Sequence, residues 1–216
     1  MSVWLVVGSA PGVETYYAAL RPLLPRVQSI TCNAGGKLYL PPDRPDYYWL
    51  SDPKAVPAFA SVGQALQARG TRIISARMPD RRSPLHADLV VDLPHRGGHF
   101  QAFRPKTWIH PRLSGLLCVE YALLAGAGAV AMIGFRGYSS TWLDRKGDEF
   151  DGRLGPPGGS QYNKNWIAPF LQSCVDALPG VRFIMGGRPL YPLMGGNVIT
   201  THSEAQTASA VEAAMH

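Results

Sequence analysis

Along most of the chain, short continuous apolar runs alternate with longer stretches of helical spacing. The runs are "SVWLVVG", "VQSITCN", "PDYYWLSDP", "TRIISA", "ADLVVDL", "AVAMIG" and "VRFIMGG". "SVWLVVG" is a continuous apolar run, which predicts a strand buried on both faces, and the others read as further strands of the same sheet. Between them, Val13, Tyr16, Tyr17, Leu20, Leu23 and Leu24 repeat at helical spacing, with Pro22 weakening the last turn. "AVPAFASVGQALQARG" reads as a helix closed by Gly70, and Leu116–Ala125 as another. "NKNWIAPFLQSCVDALPG" reads as a helix bent at Pro169, and "HSEAQTASAVEAAMH" as a terminal helix. Strands alternating with helices predict an α/β fold: a Rossmann-like, mainly parallel sheet with helices on both faces.

Two stretches break the rhythm. Residues 94–113 hold three His, two Phe and one Trp with no clear period, and residues 139–162 are polar and Gly-rich. Loops of that length in a compact domain usually serve a function or lack order. No repeat and no composition shift divides the chain, so residues 1–216 read as one Rossmann-like domain carrying these two loops.

Composition narrows the partners. Hydrophobic residues make up 46% and charged residues 17%, enough for a sizeable core. Lys and Arg exceed Asp and Glu by 6, 21 against 15. That excess favours polyanionic ligands such as nucleotides. The basic residues are dispersed, with no run beyond Arg81-Arg82, which reads as solvated surface ahead of a nucleic-acid groove. Three scattered cysteines, Cys32, Cys118 and Cys174, suit neither a disulfide framework nor a zinc site. Cys118 reads as a small buried hydrophobe. No signal-peptide pattern and no membrane-spanning run is apparent, so the expectation is a reduced, cytoplasmic protein.

In parallel sheets, ligands bind outside the carboxyl ends of the strands. The residues there are Gly8-Ser9-Ala10-Pro11-Gly12, Asn33-Ala34-Gly35-Gly36, Ser51-Asp52 and Gly134-Phe135-Arg136-Gly137-Tyr138. "GSAPG" is neither a dinucleotide fingerprint nor a Walker loop. It is a plain turn, or a glycine turn that lets backbone approach a phosphate. Ser114 is an ordinary N-cap, or with Gly115 a phosphate cradle. Asn33 is a turn residue, or a contact to a base or ribose. Asp52 at a strand end caps the next helix, or binds a hydroxyl or metal. His95, His99 and His110 are surface loop residues or proton-transfer groups. Asp144, Asp148, Glu149 and Asp151 match no calcium loop; they form a solvated lid or hold Mg²⁺ beside phosphates. No metal ligand set is read from the sequence.

Taken together, "SGLLCVEYALLAGAGAVAMIGFRGY", "VVGSAPG", "TCNAGG" and "PDYYWLSDP" fall in the order found in one family. They resemble the bacterial lipooligosaccharide-type sialyltransferases and, more widely, the 6-hydroxymethylpterin pyrophosphokinase-like superfamily. The resemblance covers roughly the first 140 residues. It implies that Gly8, Ser9, Asn33, Ser114 and Gly115 contact a nucleotide, and that Gly134 and Tyr138 border the same pocket. Two departures stand out. The family's Asp after Gly-x is Arg136 here, able to pair with a phosphate or a sugar carboxylate. The family's base His has no counterpart in "GPPGGSQYNKNW".

The function expected from this reading is transfer of a sugar or similar group from an activated nucleotide donor to the hydroxyl of a small molecule or glycan. Asp52 or His110 would act as base, and Arg136 would offset charge on the leaving phosphate. One alternative is an ATP- and Mg²⁺-dependent pyrophosphokinase or phosphoryl transferase, which would use the acidic loop. Another is a non-catalytic nucleotide- or nucleic-acid-binding module. The sequence leaves the donor, the acceptor and homo-oligomer formation open.

Overall fold

Val3–Val7 is apolar at every position and has every side chain buried, so this strand, β1, must be covered on both sides. The computed structural model describes residues 1–10, 12–51, 55–76, 85–91, 114–135, 168–187 and 192–216. Around β1 it assembles β2 (Gln28–Cys32), β3 (Tyr47–Trp49), β4 (Arg72–Ala76), β5 (Leu89–Val91), β6 (Ala129–Ile133), β7 (Arg182–Gly186) and β8 (Val198–Thr201). These eight strands form one sheet in the order β5-β4-β3-β2-β1-β6-β7-β8, and every pairing is parallel. The fold is the expected α/β, Rossmann-like one.

The pleat sends successive side chains to opposite faces. Leu5, Val7, Ala131, Ile133 and Ile184 face one helical layer. That layer holds α1 (Val13–Leu20), α2 (Val56–Gln67) and α5 (Glu204–Ala214). Trp4, Val6, Val130, Met132 and Phe183 face the other, α3 (Ser114–Leu124) and α4 (Ala168–Ala177). Fully burying one such side chain contributes about 1.5–3 kcal/mol, so neither layer is dispensable. Cys118 is wholly buried in the second layer, as its apolar setting predicts.

Two departures from the sequence pattern have simple causes. The first helix stops at Leu20 and the chain tightens into a 3₁₀ segment, Arg21–Arg26. Pro22 lies in that segment's first turn, where a missing N–H costs little. Strand β8, "VITT", is not apparent from hydropathy, because it is an edge strand whose residues are mostly part-exposed. Pro169 lies among the first described residues of α4, with the residues before it outside the described ones. None of the described helices is long and apolar enough to cross a membrane.

Candidate functional site

Strand order reverses direction between β1 and β6: the chain builds outward from β1 to β5, then returns to pair β6 against β1. Connections diverge at that point, which opens a crevice at the carboxyl ends. Register aligns its rim. Val7 is level with Thr31 and Ile133, Ile133 with Gly186, and Gly186 with Thr201. The residues that follow, Gly8, Gly134 and His202, therefore stand at one height, and Asn33 follows Cys32 on the neighbouring β2.

The floor of the crevice is glycine packed on glycine. The Gly8 amide donates to the Ile133 carbonyl at 2.8 Å. A Cβ on Gly8 would come 2.4 Å from the Gly134 oxygen. Gly134 has φ +74, and a Cβ there would meet both the Gly8 carbonyl carbon and Val13 Cγ2 at 2.9 Å. Gly35 lies beneath, its missing Cβ leaving room for Thr31 Oγ1, which donates to the Val7 carbonyl at 2.8 Å. The absent side chain at Gly8 thus serves strand-end packing in the first place. Ser9 follows, partly exposed.

Asn33 opens a 3₁₀ segment, Asn33–Leu38, in the left-handed region at φ 47. Its carbonyl accepts a hydrogen bond from the Tyr48 hydroxyl at 2.9 Å, which pins the backbone. Burial pushes the Tyr48 phenol well above its ordinary range, so it stays a donor. The Asn33 side-chain oxygen is buried and has no hydrogen-bond partner among the described residues. Left-handed backbone costs a non-glycine residue about 1–2 kcal/mol, less for Asn, which tolerates it best, and a buried acceptor left unpaired costs about 1–3 kcal/mol.

Ser114 stands as the first residue of α3 rather than before it, and both Ser114 and Gly115 are partly exposed. Helix α3 packs on β2 and β1. Gly115 carries a neighbour not anticipated from sequence: a Cβ there would sit 3.1 Å from Phe135 Cε1 and 3.2 Å from Cζ. The small residue at this helix start admits the Phe135 ring.

Of the residues singled out from sequence, Gly8, Ser9, Asn33, Ser114, Gly115 and Gly134 gather at this edge. Asp52, His110, Arg136 and Tyr138 lie outside the described residues, as do His95, His99 and the acidic stretch from Asp144 to Asp151. Among the described residues no three His, Cys, Asp or Glu side chains converge as a metal site.

His202 belongs to the same rim and was absorbed in the sequence by a helix pattern. It follows β8 directly and is exposed. Its backbone N–H donates to Gln206 Oε1 at 2.9 Å. Ser203 caps α5 by accepting from the Gln206 amide. The Thr15 hydroxyl donates to Glu204 at 2.7 Å, tying this turn to the start of α1. Only the discovery of β8 reveals His202 as a strand-end residue.

No protein-family model and no curated protein matches the chain. Among solved structures, it is similar to the MAf glycosyltransferase from Magnetospirillum magneticum AMB-1, with a TM-score of 0.64 and 13% sequence identity. The likeness covers 99% of this chain and 37% of that one, so this chain spans little more than a third of that glycosyltransferase's length. At this identity the likeness concerns the fold.

Proposed function

We propose that the chain is a glycosyltransferase-like enzyme that binds an activated nucleotide donor across the carboxyl ends of β2, β1 and β6. It would pass the sugar or similar group to an acceptor hydroxyl. The observation that carries this reading is Asn33: a strained backbone and a buried, unpartnered acceptor held at the rim of the switch-point crevice. Both costs persist in a folded chain where a ligand group completes the hydrogen bond. The fold likeness to a glycosyltransferase supports the reaction class.

On this reading Asn33 accepts from the nucleoside, while Ser9, Ser114 and the backbone amides at the described start of α3 face the phosphates. His202 takes the proton of the acceptor hydroxyl. Its strand ends two places from β6, about 10 Å at ordinary strand spacing, a span that the sugar and phosphates of a donor can bridge. An imidazole is a common general base for such a proton. Transfer of this kind depends mostly on positioning and on fixed dipoles, which turns and helix ends supply.

The test is a thermal-shift and calorimetric screen with cytidine, uridine, guanosine and adenosine sugar nucleotides, followed by Ser114→Asp. A bound donor raises Tm by mass action. The new carboxylate beside a phosphate should weaken that donor at least about tenfold, about 1.4 kcal/mol, with little change in stability. A chain that no nucleotide stabilises, or a Ser114→Asp variant with unchanged affinity, would refute the placement.

A further inference from the structure

The described residues at the crevice rim carry hydroxyls, an amide, backbone groups and the His202 imidazole, together with the Phe135 ring. Lys37, the cation on the neighbouring 3₁₀ segment, lies over the Phe59 ring at 5.6 Å from its centroid. Uncharged groups and a ring recognise a flat, uncharged ligand part.

Phe135 is placed there by the turn after β6 and by packing against the apolar layer. Gly134 turns the chain at φ +74 with its backbone against Gly8. The ring then lies with Cε1 and Cζ against Gly115, in a gap that any larger residue would close. Its remaining surface is only partly buried, at the edge of the apolar layer under α3. A ring packed for stability alone gains most by full burial; this one stays partly exposed directly after the carboxyl end of β6.

We infer that Phe135 is the stacking platform for the nucleobase of the donor, and that it sets the affinity for the nucleoside half of that ligand. This rests on the nucleotide-donor reading above and adds a residue and a ligand part to it. Stacking on an aromatic side chain is tolerant of base identity, so hydrogen bonding at Asn33 would supply the choice of base.

The test compares wild type, Phe135→Leu and Phe135→Tyr, titrated with CMP, UMP, GMP and AMP, and separately with inorganic pyrophosphate. Loss of the ring in Phe135→Leu should lower affinity for the preferred nucleoside monophosphate by about fivefold or more. Pyrophosphate affinity and Tm should stay unchanged, and Phe135→Tyr should retain binding. In wild type the base protons of the bound nucleotide should show an upfield ring-current shift that Phe135→Leu abolishes. Equal nucleotide affinity in Phe135→Leu, or equal losses for nucleotide and pyrophosphate, would overturn the platform while leaving the donor site standing. Failure of wild type to bind any nucleotide would overturn the donor reading itself, and the platform with it.

Discussion

Gly8 and Gly134 meet backbone to backbone at the carboxyl ends of β1 and β6, so closely that a Cβ on Gly8 would stand 2.4 Å from the Gly134 carbonyl oxygen. The crevice is therefore built on a contact that only glycine permits. Loss of ligand binding in a Gly8 variant would report a broken sheet edge as readily as a blocked site.

Gly8→Ala should destabilise the chain by about 1–3 kcal/mol, because the clash is with backbone that cannot swing away. Gly134→Ala should cost at least as much, since its φ adds strain. Urea denaturation of both variants checks this; midpoints equal to wild type would mean the strand ends relax more freely than the contact implies.

Asn33→Gly separates binding from folding. Glycine adopts φ 47 freely, and the change removes the buried acceptor without a partner. Stability should hold or rise by about 1 kcal/mol, while nucleotide affinity falls at least about tenfold. If Tm drops and affinity does not, Asn33 is a structural turn residue.

His202→Asn should leave donor affinity unchanged and lower turnover by about 10²–10⁴-fold, the usual contribution of a positioned acid–base group. Side-by-side calorimetry and transfer assays test it. Full turnover in the variant would send the search for the base back to Asp52 and His110.

Metal chelation separates the two enzyme readings. Transfer from a sugar nucleotide is expected to continue in EDTA. AMP release from ATP that stops in EDTA would instead favour the phosphoryl-transfer alternative.

Alkaline stability should follow the buried phenols. Burial, then Asp43, raises Tyr17; burial raises Tyr39 and Tyr48; burial, then Tyr47, pushes Tyr121 up to about 12. The folded values lie above the unfolded value of about 10. Their contribution is thus fully present below about pH 10 and is lost as pH rises through about 12. Phenolate absorbance of these tyrosines should appear together with unfolding by circular dichroism. Ionisation of all nine tyrosines near pH 10 in a folded chain would contradict this.

The strands buried on both faces were legible in the sequence, because double burial demands an unbroken apolar run. "AVAMI" shows this at β6, and "VVGSAPG" shows where β1 must turn. Glycines and small polar residues after those runs stand at the carboxyl ends of the strands. What hydropathy could not carry was anything decided between distant segments. Strand β8 has mostly part-exposed residues, so nothing in "VITT" required it to be a strand until β7 paired with it. His202 became a rim residue only through that pairing. The 3₁₀ turn at Asn33 leaves no period to read, and the Tyr48 hydroxyl that bonds its carbonyl comes from another strand. Gly115 is likewise intelligible only beside Phe135, twenty residues away in sequence and in contact through the packing of α3 against the sheet. Local pattern reports which side chains must leave water; which groups then face one another is set by strand order and register, and those depend on contacts that no local window contains.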